Sequence, residues 1–179
     1  MSAELFFASL KARFEKEAER LNALDAAIGD GDHGATMLRG LTQVATAEDG
    51  KRARTFMRAS GGASGTLFGL ILLEIEAYFD TGSPLRAGLA KACERICDLG
   101  EVVQGDKSMV DALAPAITAL ESDGLEAAVS AARTGCDATM DLSARRGRAQ
   151  YVENGGRGHL DPGAVSVVIF LETLQEVSP

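Results

Sequence analysis

Apolar residues recur at spacings of three and four along almost the whole chain, and no stretch alternates polar and apolar residues as a half-buried strand would. Leu10, Phe14 and Leu21 share one side of a first helix, predicted over residues 3–22. A second helix is predicted over about 34–46, a third over about 50–60, and a fourth along the apolar run that starts at Gly65. The fifth opens near Pro84, a residue suited to a helix's first turn, and stacks Leu85, Leu89, Cys93, Ile96 and Cys97 on one face. Met109, Leu113, Ala116, Ile117 and Leu120 define the sixth, which Pro115 either kinks or opens. Leu125, Ala128, Val129, Ala132, Cys136 and Met140 define the seventh, and Val165, Val168, Ile169 and Leu174 follow Pro162 in the eighth. The connections are short except for residues 144–161. Short connections make successive helices antiparallel neighbours, so the expected fold is all-α, an eight-helix up-and-down barrel or bundle, with residues 1–179 as one domain.

Charge and composition remove several classes of function. The chain carries 26 acidic residues against 18 basic ones, a formal charge of −8, which disfavours nucleic acid as a partner. Two histidines and three cysteines are too few for a zinc site rich in either. The most apolar stretch, residues 65–79, contains Glu74 and Glu76 and falls short of the ~20 residues a membrane span requires. A buried helix is expected there, and no membrane association. The N-terminus alternates charged and apolar residues instead of placing an apolar block after a basic segment, so no signal peptide is expected. An odd cysteine count without a secretory framework fits a reducing compartment, and the cytoplasm is the expected location.

Glycine points to chemistry. There are 20, although each costs ~1 kcal/mol in a helix interior. Eleven fall within residues 29–34, 61–69 and 155–163, each window beside a predicted helix start, and close approach of backbone to a ligand accounts for such a pattern. The first window lies in LDAAIGDGDHG, which holds Asp25, Asp30 and Asp32 with no base between Arg20 and Arg39. Three carboxylates this close repel one another unless a hard divalent cation sits among them; the simpler reading is aspartates capping the second helix. SGGASGTLFG can form an anion nest of backbone N–H groups with Ser64 as an extra donor, or serve tight helix packing. It is neither a Walker A loop nor a dinucleotide fingerprint, because no strand precedes it and no lysine follows at the required place. LGEVVQGDKSMVDAL reads as a helix end, a glycine turn and a new helix, with Asp106 at the cap or first turn and Lys107 as a solvated charge. The long connection collects Arg145, Arg146, Arg148 and Arg157, cations suited to phosphoryl oxygens, ahead of a DPG turn.

These motifs, in this order, resemble the nucleotide-binding L subunit of dihydroxyacetone kinase and the matching C-terminal domain of single-chain kinases. The resemblance runs from LNALDAAIGDGDHG through GGASG and GDKSM to RGRAQY and GHLDPGA. It implies an eight-helix barrel holding ADP or ATP and two magnesium ions at one end. By resemblance Asp25, Asp30 and Asp32 are the magnesium ligands, and His33, Gly34, Ala35 and Thr36 line the phosphates. Ala63, Ser64, Gly100 and Met109 contact the nucleotide, Arg148 stands near the terminal phosphate, and Asp161, Pro162 and Gly163 close the site. The ketose would sit on a separate K-type subunit, so no catalytic base is expected in this chain, and a homodimer is admitted. Glycine between the aspartates resembles the ATP-dependent type, whereas His33 and the following ATMLRG resemble the phosphotransferase-dependent L subunits. The latter branch keeps ADP resident, rephosphorylated by an M-type phosphocarrier subunit, and is the expected mode. The alternatives are an ATP-consuming kinase subunit for a triose or tetrose ketose, a non-enzymatic nucleotide-sensing module, and a structural bundle with incidental magnesium affinity.

Overall fold

The structure, a computed structural model, describes residues 2–121 and 124–178. Among the described residues there are eight α-helices and no strand: α1 (Ala3–Ile28), α2 (His33–Val44), α3 (Arg52–Ser60), α4 (Gly62–Thr81), α5 (Leu85–Gly100), α6 (Val110–Ala119), α7 (Gly124–Ala138) and α8 (Pro162–Val177). Each helix packs on the next in sequence, and α8 packs back on α1, so the ring closes into an up-and-down barrel. Glu172 on α8 accepts from Arg13 of α1 at 2.8 Å and from Arg133 of α7 at 2.7 Å, bracing the closing seam from outside. The core is aromatic where the helices converge. Phe68 of α4 lies edge-on to Phe14 at 5.8 Å and to Phe170 at 6.3 Å, and Phe170 meets Phe6 at 5.8 Å. Such pairs add about 0.5–1.5 kcal/mol each beyond the area they bury.

Several boundaries differ from the periodicity. The first helix passes Asn22 and runs to Ile28, because Ala23, Leu24, Ala26 and Ala27 favour helix and Ile28 is buried. Asp25 is therefore a helical residue. Helix α3 starts after Gly50, whose φ is +72°, and α4 already starts at Gly62. Helix α7 stops at Ala138, and Met140, expected on its apolar face, sits exposed in a 3-10 turn over Thr139–Asp141. Pro115 lies inside α6. Lacking an N–H, it leaves the Asp111 carbonyl free of its helical bond, and α7 closes on that carbonyl at Gly135, where a Cβ would come within 2.0 Å of it. The long connection carries two more 3-10 turns, Arg148–Tyr151 and Glu153–Gly156.

Helix α4 is long and apolar enough by composition to cross a membrane, but Phe68, Leu70, Ile71, Leu72 and Ile75 are buried in the core. Glu76 on the same helix is also buried, and its carboxylate accepts the N–H groups of Arg52 at 2.8 Å and Ala53 at 3.3 Å. It caps α3 from the neighbouring helix, since Lys51 at the N-cap offers no side-chain acceptor. Cys93, Cys97 and Cys136 are free, and burial pushes the Cys93 and Cys136 thiols up to about 12.

Candidate functional site

In an up-and-down barrel every second connection lies at the same end. The four motifs occupy the α1–α2, α3–α4, α5–α6 and α7–α8 connections, so the topology alone gathers them at one end.

At the α1–α2 connection the last turn of α1 holds Asp25, and a turn through Gly31, at φ +78°, brings Asp30 and Asp32 back towards it. One oxygen from each of the three carboxylates lies within 4.8 Å of the others. The carboxylate of Asp32 makes no capping bond to α2. That task falls to α1: Asp25 Oδ2 accepts the N–H groups of Asp32 at 2.9 Å and His33 at 3.2 Å, and Asn22 Oδ1 accepts that of Ala35 at 3.0 Å. Simple capping of α2 by Asp30 and Asp32 is thus excluded, and both carboxylates face solvent. Gly34 is required for packing: a Cβ there would come within 2.1 Å of the Ala18 carbonyl oxygen of α1. At this position helix packing, and not the close approach to a ligand expected from the sequence, is what requires glycine.

The His33 imidazole turns inward. It is buried, and its Nε2 lies 2.8 Å from Ser166 Oγ on α8. Burial holds its pKa below the ordinary value, against the Asp25 and Asp32 carboxylates, so it is neutral at pH 7. It therefore ties α2 to α8 and leaves its backbone facing the carboxylates. Thr36 is buried one turn on, and Arg39 joins this turn to the next motif, donating to Thr36 Oγ1 at 3.3 Å and to the carbonyls of Ala59, at 2.9 Å, and Ser60.

Gly61 alone separates α3 from α4. No side chain caps the start of α4, where Ala63 is exposed and Ser64 half-buried. Gly100 ends α5 beside Leu67 of α4, whose Cδ1 would lie 3.5 Å from an added Cβ. Asp111, in the first turn of α6, is buried; its Oδ2 accepts the Ser108 N–H at 2.7 Å and its Oδ1 that of Gly105 in the turn before it. Asp106 accepts the Val103 N–H at 2.9 Å and pairs with Arg145 at 3.3 Å. Lys107, expected in solvent, is only 4% exposed.

The two limbs of the α7–α8 connection bond to each other, Ala144 N–H to Gly155 O at 2.9 Å and Gly158 N–H to Met140 O at 2.7 Å. Its tip reaches the first motif through Arg148, whose guanidinium donates to Asp30 Oδ1. At its end Asp161 caps α8, accepting the Ala164 N–H at 2.7 Å. Burial pushes the Asp161 carboxyl up to about 7, against that N–H and the Lys107 ammonium. Gly163 packs on Met109, with 3.4 Å between Met109 Cβ and an added Cβ.

Three aspartates with one bonded guanidinium leave about two uncompensated negative charges, and their donors are all hard oxygens. That set fits a divalent cation such as magnesium. Asn22, Arg39, Lys107, Thr139 and Ser166 hold the arrangement together and carried no signal in the sequence, because partners of each lie on other helices or distant turns; Asp111 adds a local brace to the turn before it.

Residues 27–176 match the DAK2 domain family. The chain is 34% identical over 177 residues to the ADP-binding subunit DhaL of PEP-dependent dihydroxyacetone kinase 1 from Listeria innocua, covering 90% of this chain and 88% of that one. It is 36% identical to L-erythrulose 1-kinase of Mycolicibacterium smegmatis, again over 90% of this chain but only 33% of that longer protein. The crystal structure of dihydroxyacetone kinase from C. freundii in complex with AMP-PNP and Mg2+ superposes with a TM-score of 0.75 at 25% identity, over 97% of this chain and 33% of that one. The chain thus spans about a third of those two kinases and nearly all of a DhaL subunit. With residues 27–176 matching the family model and most of its length aligned to these proteins, the chain belongs to the DAK2 domain family.

Proposed function

We propose that residues 1–179 form the nucleotide-holding subunit of a dihydroxyacetone-type kinase, active only with partner subunits. The observation that carries this reading is the convergence of Asp25, Asp30 and Asp32 at the barrel end that also collects the other three motifs. Its support is the match with an ADP-binding subunit over 90% of this chain and 88% of that one.

Asp25, Asp30 and Asp32 would hold two magnesium ions, which when bound supply charge neutralisation to the phosphate oxygens. The first turn of α2, His33 to Thr36, and that of α4, with Ala63 and Ser64, direct helix N-termini at the phosphates. Gly100 and Met109 contact the nucleotide, Met109 as an adaptable apolar surface. Arg148 reaches the terminal phosphate, and Asp161, Pro162 and Gly163 close the site. These residues align and neutralise, which is most of what phosphoryl transfer asks of a protein. The acceptor hydroxyl comes from a small ketose on a K-type subunit, so the chain provides no catalytic base. The three free cysteines fit a cytoplasmic setting, and a homodimer is compatible with this reading.

The preferred mode keeps ADP resident, recharged by an M-type phosphocarrier; the PEP-dependent DhaL relative, which matches over most of both chains, favours it. A second reading, an ATP-consuming subunit, is favoured by Gly31 between the aspartates and by the 36% identity to L-erythrulose 1-kinase. One experiment separates them. Labelled ADP bound to the protein is chased with excess unlabelled ADP, and ketose phosphorylation is assayed with a K subunit. Exchange over minutes, with phosphorylation that needs the phosphocarrier, is expected. Exchange within a second, with ATP-driven turnover and no carrier, would replace the resident mode by the second reading.

A further inference from the structure

Two unfavourable features coincide at Lys107. Its side chain is buried, at 4% exposure, although an ammonium loses strong hydration there. Its backbone sits at φ +62°, in the left-handed region that a residue with a Cβ seldom adopts. Such a conformation persists when the surroundings over-determine it. Here they do: Nζ donates to the Thr139 carbonyl at 2.5 Å and to the His159 carbonyl, 32 and 52 residues away in sequence. The Asp161 and Asp111 carboxylates favour its charge while burial opposes it.

We propose that Lys107 is a positioning residue for the nucleotide end, its ammonium joining the α5–α6 turn to both ends of the α7–α8 connection and so fixing Met109 against Asp161–Gly163. This rests on the nucleotide-binding reading above. The path is short. Thr139, held through its carbonyl by Lys107, accepts the Asp161 N–H on Oγ1 at 2.9 Å, and Asp161 caps α8. His159, held in the same way, lies two residues before Asp161. Met109 lies two residues after Lys107 and packs on Gly163. Asp111 holds the turn from the other side through Gly105 and Ser108. An apolar side chain of similar length would fill the same space with less desolvation. What the ammonium adds is direction, two carbonyls fixed at one point, and both belong to segments at the nucleotide end.

The test is MgADP affinity by calorimetry for wild type, Lys107→Met and Lys107→Arg, with the core variants Ile75→Val and Leu89→Ala bracketing the loss of thermal stability. Lys107→Met is expected to bind MgADP at least tenfold more weakly and release it faster. Lys107→Arg is expected to recover part of that loss, and both core variants to stay within twofold of wild type. Lys107→Met affinity within twofold of wild type, or a loss no larger than that of a core variant of equal melting temperature, would overturn the proposal. Acetic anhydride labelling of the wild-type chain, read by mass spectrometry, keeps it testable if Lys107→Met does not fold. Lys107 should react at least tenfold more slowly than exposed Lys51 and Lys91, and equal rates would sink the clamp. Wild-type protein that binds no MgADP would defeat the functional reading instead, and the labelling would still decide the clamp.

Discussion

At the scale of single residues, charge placement governs the site. Asp30 is part of the carboxylate cluster and of no core contact, so removing it should affect ligand binding far more than folding. Asp30→Ala is expected to lose magnesium-dependent ADP binding by calorimetry while far-UV helicity stays unchanged, because relief of repulsion offsets the lost Arg148 pair. Arg148 offers a complementary test. Its guanidinium bonds Asp30, so it competes with any cation for that oxygen. An exposed pair is worth at most about 1 kcal/mol, so Arg148→Met should tighten magnesium binding without nucleotide by up to about fivefold. The same variant should weaken MgADP, since Arg148 is the residue proposed to reach the terminal phosphate. A magnesium titration with and without ADP reads both effects.

Elements are fitted to one another by a few contacts that no periodicity encodes. Gly34 lets α1 and α2 cross with the Ala18 carbonyl where a Cβ would stand. Gly34→Ala must push the helices apart, and overpacking of this kind costs about 1–3 kcal/mol, to be read from urea unfolding. Glu76 is the other such contact. Its carboxylate serves two N–H groups at the start of α3 from within α4. Glu76→Ala leaves those donors buried without an acceptor, and a loss of about 1–3 kcal/mol is expected in the same measurement. Because Glu76 lies at the opposite end of the barrel from the aspartates, its variant should keep wild-type affinity for MgADP once folded.

For the whole molecule, the ligand is expected to act as a staple. Four connections meet at one end, and a nucleotide held by all of them, as proposed, would bind the native chain alone. MgADP at a hundred times its Kd should therefore add about 2.7 kcal/mol. A differential scanning experiment should show a melting temperature raised by several degrees and returned to the ligand-free value by EDTA. A melting curve indifferent to both would favour a purely structural bundle. The eight helices and their antiparallel order were readable in the sequence, since a helix records its buried face locally, every three or four residues, and short connections leave little choice of neighbour. The motifs were readable too, because glycines, carboxylates and arginines clustered within a few residues carry their chemistry with them. Other features depended on partners far along the chain. Asp25 looked like a loop residue until α1 was seen to run on and pair it with the N–H groups of α2. Lys107 looked solvated, because the carbonyls that hold it lie 32 and 52 residues away. Arg148 meets Asp30 across 118 residues. By itself the sequence determined the helices, their order and the residues with chemistry to offer; which of those residues face a ligand and which hold the others in place was decided only by closure of the barrel, which sets distances between segments that local periodicity cannot encode.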